Sequence, residues 1–542
     1  MLSYFVITPI LVAVFLYLFP QMRLAKFVAL VVQAVLVGFA YWLFELTKSG
    51  EIFISIGNFY SILGIYLRAD LLSAMFVLLT TSFFLIATIY SFDEVHSGLF
   101  WFLMFVWQGS LIGIFLSADL FNIFILMEVG AVIVTVLIMY DRSKRSMYDG
   151  LIYFAINVIV MQFYLFGLGY VYRLTGTMDM YVMSDRINYY QYSYLMLPYA
   201  TIMTFIGLKS ALVPMFGWLP KAHGSPAAPP AVSAVLSGLH IKAAIYLFIR
   251  FQDLLYLVAS TQFFLLIGII TGIVGFVLAM SQTDMKLILA YHTVSQVGLI
   301  FTGLNISAAY TIDGYYSYSF VGGLYHIINH ALFKGGLFLS AGIIYKLYGT
   351  RNVYKIRGLV RQYPIIGIST LMAILGITGA PFFNGSISKY FMVSGADTFL
   401  NGVLIFMSLG TIISFVKYST MLFGRPLVVP EGGMPKPNNL QVFAVAVMGV
   451  LCFATGIFGV QTIKFMFDTS VSIDTIGYIE KIAIFFSSLV GGYFIYKYYV
   501  KKSMLLKKLR NFDMGFRGMV LSIGVFFGAV MVLVGIIYPM GG

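Results

Sequence analysis

The sequence predicts an all-α, polytopic membrane protein with about sixteen transmembrane helices, and three observations carry that prediction. Apolar residues make up 61% of the 542 positions and charged residues only 10%, far below the roughly one quarter that is usual in soluble domains. Mean hydropathy is +0.95. Runs of about 20 apolar residues, enough to cross a ~30 Å hydrocarbon core as a helix, recur along nearly the whole chain.

In order, the apolar stretches lie near 4–20, 27–46, 71–90, 99–117, 120–140, 148–172, 194–219, 231–250, 260–281, 287–304, 319–345, 364–393, 400–423, 438–460, 478–498 and 518–538. The first, Tyr4 to Phe19, has neither a basic leader nor a small-residue cleavage site and reads as a retained span. Between the second and third, residues 51–68 alternate and contain Gly and Asn, the pattern of an extramembrane hairpin. Cys452 is the only cysteine, which excludes an internal disulfide, a CxxC redox pair and a cysteine-ligated iron–sulfur cluster. No GxGxxG or Walker A sequence occurs, so nucleotide chemistry has no home here. The chain is expected to carry no cofactor, no metal site and no catalytic centre of its own.

The formal charge of +13 invites a nucleic-acid reading, but its placement is that of a topology signal. Of the 33 basic residues, 20 fall in loops after odd-numbered spans, including the cluster from Lys497 to Arg517. Only seven, Lys48, Arg68, Arg173, Arg186, Arg250, Lys464 and Lys481, fall in loops or span ends on the other side. The positive-inside rule then puts both termini outside, in a cell membrane.

Six lysines remain inside the spans: Lys209, Lys221, Lys242, Lys334, Lys389 and Lys417. Lys221 and Lys417 lie near cytoplasmic ends, where a lysine can snorkel into the headgroups. The others do not have that escape. At 1.5 Å per residue Lys242 is ~16 Å into its span and Glu128 ~13 Å. Glu128, Lys209, Lys242, Lys334 and Lys389 facing lipid would together cost ~10 kcal/mol or more. One carboxylate cannot neutralise four lysines. Lysines out of water can release a proton, and lysines along a hydrated path can exchange it. The stretch "YHIINHALFKGGLF" (325–338) adds His326 and His330 at four-residue steps before Lys334, which stacks all three on one helix face. Imidazole titrates near neutrality and can accept at one nitrogen while donating at the other. The stripe reads as part of a proton wire through a midplane row that includes Glu128, with Lys209, Lys242, His330, Lys334 and Lys389 expected near one membrane depth.

Two spans carry breaks. "LKSALVPMFGWLPKAHGSPAAPPAVSAVLSG" (208–238) holds Pro214, Pro220, Pro226, Pro229 and Pro230, too many for continuous helix. "GITGAPFFNGSISKYFMV" (376–393) is interrupted at Gly379 and Pro381. These are spans seven and twelve. An offset of five reverses orientation, as two inverted five-helix repeats require.

These residues resemble the antiporter-like subunits shared by respiratory complex I, Mrp-type sodium/proton antiporters and membrane-bound hydrogenases. The resemblance rests on "ADLFNIFILME", "LKSALVPMFGWLPKAHGSPAAPPAVSA", "TDMKLILAYHTVSQVG" and "HIINHALFKGGLF", and spans roughly residues 70–420. It implies inverted repeats at 99–250 and 260–423, flanked by N-terminal helices and the hairpin (1–98) and by C-terminal helices (438–542). It also implies that Glu128 pairs with Lys209, that Lys242, His330 and Lys334 are central, that Lys389 is terminal, and that His326 belongs to the set. Leu287 stands where complex I members usually have arginine, and His292 where they often have serine, a lean towards the branch of the D-type Mrp and hydrogenase-associated subunits.

The reading is therefore a proton-translocating membrane subunit of a multisubunit complex, either a redox-driven pump or an antiporter. Its expected partners are other membrane subunits, lipid and protons, with sodium a second candidate cation and no nucleic acid. The alternative is a self-sufficient secondary transporter of cations or solutes. A quinone-binding redox enzyme is disfavoured by the lack of any cofactor motif.

Overall fold

The computed structural model describes residues 1–19, 22–57, 64–224, 228–256, 260–307, 309, 316–426 and 435–537. It is a multi-span membrane protein: thirteen of the described helices are long and apolar enough to cross a bilayer, from Arg23–Thr47 to Phe516–Ile536. Leu2–Leu18 and Pro364–Thr378 are apolar but shorter. Helix is the dictated local solution, because hydrocarbon offers no partner for a backbone N–H or C=O. Several helix starts are set by side chains that take up the otherwise unbonded N–H groups. Asp119 accepts from Asn122 N at 2.6 Å, and Asp70 forms a capping box with Ser73. Among the described residues the only paired strands are Ile52–Ile56 and Ile65–Ala69, antiparallel with Ile54 opposite Leu67.

The chain divides into two compact units. The first comprises Met1–Val232, Leu239–Ser260 and the chain from Met514; the second comprises Ser233–Gly238 and Thr261–Asp513. The last helix therefore belongs to the first unit. Phe527 of Phe516–Ile537 meets Phe163 at 5.5 Å, and a methyl on Gly207 would meet Phe526 at 2.9 Å. Thr475–Ile495 stays with the second unit, where a methyl on Gly492 would meet Ile412 at 3.3 Å.

In the second unit Thr261–Ser281 and Met285–Asn305 pack at backbone contact. A methyl on Gly298 would sit 2.3 Å from Gly272 N, so small residues set this interface.

Both expected breaks are present. Tyr192–Lys209 ends at Lys209, and Pro214 lies in the connector before the 3-10 turn Met215–Gly217. Pro220 does not interrupt a helix. It sits in the first turn of Trp218–Gly224, where a missing N–H costs nothing. Pro229 precedes Pro230, which opens the helix Pro230–Val235 as proline does at a first helical position. Pro226 lies outside the described residues. Pro364–Thr378 ends at Gly379, left-handed at φ 80°. Pro381 lies in the connector to Asn384–Ser394. Here Gly385 is obligatory: a methyl on it would come 2.0 Å from Gly376 O.

Candidate functional site

In the first unit, the Leu120–Ile138 helix carries Glu128, partly buried, and the Tyr192–Lys209 helix ends at Lys209, 4% exposed. Lys209 and Glu128 are electrostatic neighbours. No hydrogen bond joins them, since Lys209 Nζ has no hydrogen-bond partner among the described residues. The Phe205 ring centroid lies 5.9 Å from Nζ. Lys242 follows on Ile241–Leu254 and is fully buried.

Between these groups lies a residue that the sequence reading passed over. A π-helical turn, Leu236–His240, interrupts the helical stretch before Lys242, and such turns recur at functional sites. It presents His240, whose Nδ1 accepts from Trp107 Nε1 at 3.2 Å. Nε2 then carries the proton and donates to the Tyr153 hydroxyl at 3.3 Å. Tyr153 in turn senses Glu128, and His240 senses Lys209. The first unit thus holds a cluster of the partly buried Glu128 with the buried Tyr153, His240 and Lys209, and Lys242 lies two residues beyond His240.

In the second unit, the helix Tyr318–Tyr348 carries His326, His330 and Lys334, all fully buried. His326 Nε2 donates to Gln296 Oε1 at 3.0 Å, and Nδ1 faces Ser388 Oγ at 2.8 Å. His330 stands edge-on to Phe333 at 5.5 Å. Lys334 Nζ donates to Leu289 O at 2.6 Å. Lys389, 5% exposed, reaches back across the break and donates to Ile377 O at 3.1 Å and Thr378 O at 3.2 Å. A cation at a helix C-terminus satisfies open carbonyls and complements the dipole.

Lys417 and Lys221 do not snorkel. Lys417 is 1% exposed and donates to Ala279 O, Met280 O and Gln282 O at 3.0, 2.8 and 2.6 Å, closing the end of Thr261–Ser281. Lys221, 5% exposed, lies 5.7 Å from the Tyr148 ring. Both are held by protein rather than by headgroups.

Residues 117–415 match the family described as NADH:quinone oxidoreductase/Mrp antiporter, transmembrane. The chain belongs to this family. The match takes in each site residue above except Trp107 and Lys417. Among relatives, the chain is 28% identical over 434 residues to the D-type subunit of the Na(+)/H(+) antiporter of Alkalihalophilus pseudofirmus, covering 77% of this chain and 84% of that one. The fold is shared with a chain of the membrane-bound sulfane sulfur reductase, an archaeal respiratory membrane complex, at TM-score 0.79 and 20% identity, covering 91% of this chain and 99% of that one. It is also shared with a chain of the Mrp complex from Dietzia sp., at TM-score 0.76 and 20% identity over 90% of this chain and 99% of that one.

Two further family-region features escaped the sequence reading. His292, noted there only as a departure, is fully buried with neither ring nitrogen hydrogen-bonded among the described residues. Its ring lies 4.7 Å from Phe415, within the electrostatic field of Lys334, Lys417 and Lys389. A histidine at a helical step from no other titratable group gives no stripe to read. The second feature is the π-turn, which hydrophobic periodicity does not signal.

Proposed function

We propose that this chain is a proton-translocating membrane subunit of a multisubunit complex, with its buried Glu, Lys and His residues serving as proton stops. The observation that carries the reading is the clustering of titratable side chains within the membrane-length helices: Glu128 with Lys209 and Lys242 in the first unit, and Lys334 with Lys389 in the second, one mid-span carboxylate against four lysines in all. Charges buried for structure alone are paired, since an uncompensated buried charge costs several kcal/mol. Lys209 has no such contact partner. Lys334 and Lys389 rest on backbone carbonyls, which accept from an ammonium and from a neutral amine alike. Such a site can hold a lysine before and after it gives up a proton.

Each unit supplies a half-route: Glu128, Lys209, His240 and Lys242 in the first, His326, His330, Lys334 and Lys389 in the second. His330 and Lys334, one turn apart on one helix, form the relay of the second half. Family membership supports the reading, as do relatives named as sodium/proton antiporter subunits. Partner subunits are the natural cover for Thr475–Val500, few of whose residues are buried within this chain. The distribution of basic residues supports an orientation with the Lys497–Arg517 cluster in the cytoplasm and both termini outside a cell membrane.

The test is proton uptake into vesicles containing the assembled complex. Lys334→Ala is expected to reduce uptake to background with assembly intact, because no other group on that turn can take the proton. Uptake at the wild-type rate would refute the reading.

A further inference from the structure

The second unit holds a cavity of about 330 Å³ next to Lys389, and its wall includes a helix beyond the family-matched region. Thr378, Gly379 and Lys389 line it on the side of the break, and Asp474, Glu480 and Lys481 line it from the start of Thr475–Ile495. The distribution of basic residues counts Lys481 among outer-end residues, yet its Nζ is turned inward. That nitrogen is buried with no hydrogen-bond partner among the described residues, 5.5 Å from the Tyr390 ring. It lies within the electrostatic field of Lys389.

Two ammonium groups lining one cavity repel, so a proton on one disfavours a proton on the other. The other charged groups facing the cavity are Asp474 and Glu480. Asp474 is engaged as a helix cap, accepting from Gly477 N at 2.8 Å, while its backbone N donates to the Tyr390 hydroxyl at 2.9 Å. Glu480 is exposed at the rim. The cavity volume far exceeds the ~10–15 Å³ that one water needs, and its polar groups offer the several partners that water requires. Residues 395–397 and 468–474 border this end of the unit, which the basic-residue pattern reads as the outer face.

We propose that Lys481 is a proton-carrying residue, and that this cavity is a hydrated half-channel joining Lys389 to the outer face. The Lys389 ammonium gives its proton to water, and water passes it to the neutral Lys481 amine. The Lys481 ammonium then releases it to the outer solvent past Glu480. Only N–H and O–H bonds are made and broken. The proposal rests on the proton-translocating reading above and adds the outer exit to it. It also gives the fifteenth span a task that the matched region does not contain.

A purely structural Lys481, held over Tyr390 as a cation, would be replaceable by arginine. A relay lysine would not, because guanidinium does not deprotonate in this range. The experiment uses the assembled complex in vesicles with the outer face accessible, and reads the initial rate of proton transport. Lys481→Met and Lys481→Arg are each expected to slow transport roughly tenfold or more. Lys481→Cys should do the same and then react with 2-aminoethyl methanethiosulfonate added outside. The thiolate attacks the reagent sulfur, methanesulfinate leaves, and the mixed disulfide carries a new primary amine that restores transport. Methyl methanethiosulfonate should label the same thiol without restoring transport. Cys452, the only native cysteine, is fully buried and gives little background. Wild-type transport in Lys481→Arg, or a Lys481→Cys thiol unreactive from outside, overturns the proposal. Lys334→Ala measured alongside separates the two readings: its loss of transport with Lys481→Met fully active sinks only the Lys481 relay. Transport retained in both sinks the proton route itself.

Discussion

Each unit has a lysine at its helix break, and the two are held in opposite ways. Lys209 ends its helix with Nζ bonded to nothing described, and Glu128 is its electrostatic neighbour. Lys389 starts beyond its break and turns back to cap Ile377 O and Thr378 O, and its charged neighbour is a second lysine, Lys481. The first lysine is steadied by an opposite charge at a distance, the second by backbone dipoles at contact. Similar sequence patterns, a lysine beside glycines and prolines, thus yield different local energetics. A break supplies open carbonyls only on the side where a helix ends, and only Lys389 lies on the stretch of chain that can reach them.

The largest expected effect that tests this contrast comes from removing each lysine. Lys209→Met and Lys389→Met should both cut proton transport to near background. Their stabilities should diverge. Lys389→Met leaves two carbonyls uncapped and should cost roughly 1.5–3 kcal/mol, read as a lower unfolding midpoint in detergent. Lys209→Met loses no hydrogen bond and sheds a buried charge, so its midpoint should hold or rise. Equal destabilisation of both would break the comparison.

Glu128→Gln sharpens it next. If Glu128 acts on Lys209 through charge rather than contact, the neutral isostere should reduce transport severely while assembly and folding persist. Transport at the wild-type rate would mean that the Lys209 side works without its counter-charge, as the Lys389 side does.

Much of this was legible in the sequence, for physical reasons. A bilayer demands long apolar helices, so the spans show as runs; breaks show because glycine and proline are the residues that make them. The stripe of His326, His330 and Lys334 shows because helical spacing fixes which side chains share a face. What stayed hidden depends on where a flexible side chain turns. Lys481 lies within two turns of a span end, where sequence cannot tell an outward ammonium from one turned into a cavity. Lys417 sits at a similar depth, and its three carbonyl partners come from the end of Thr261–Ser281 and the residue after it, over 130 residues away in sequence. His240 was hidden because its partners, Trp107 and Tyr153, come from two other helices.

The smallest expected effect concerns a charge that is paired for structure, as a foil to the lysines. Asp70 caps Leu71–Ser91 and accepts from Arg250 at 2.6 Å. Burial works to raise its carboxyl, but Arg250 and the Ser73 hydrogen bonds prevail and hold it down to about 2. The folded state therefore binds this proton less readily than the unfolded chain. Its stabilisation, about 2 kcal/mol, is complete above the ordinary aspartate value of 3.8 and disappears as pH falls towards 2. Asp70→Asn should remove that acid-side slope in unfolding midpoints and leave transport at neutral pH unchanged. A transport defect there would place Asp70 in the route.

The central claim is that the buried lysines release and recover protons rather than serve as fixed charges, and Lys334→Arg tests it most directly. Arginine keeps the positive charge and can still donate to Leu289 O, the partner of Lys334 at 2.6 Å, but it does not deprotonate in this range. Proton uptake should be measured in vesicles holding the assembled complex, with assembly verified for the variant. The account predicts uptake at background, matching Lys334→Ala. Uptake at the wild-type rate would show that Lys334 serves as a fixed charge, and would contradict it.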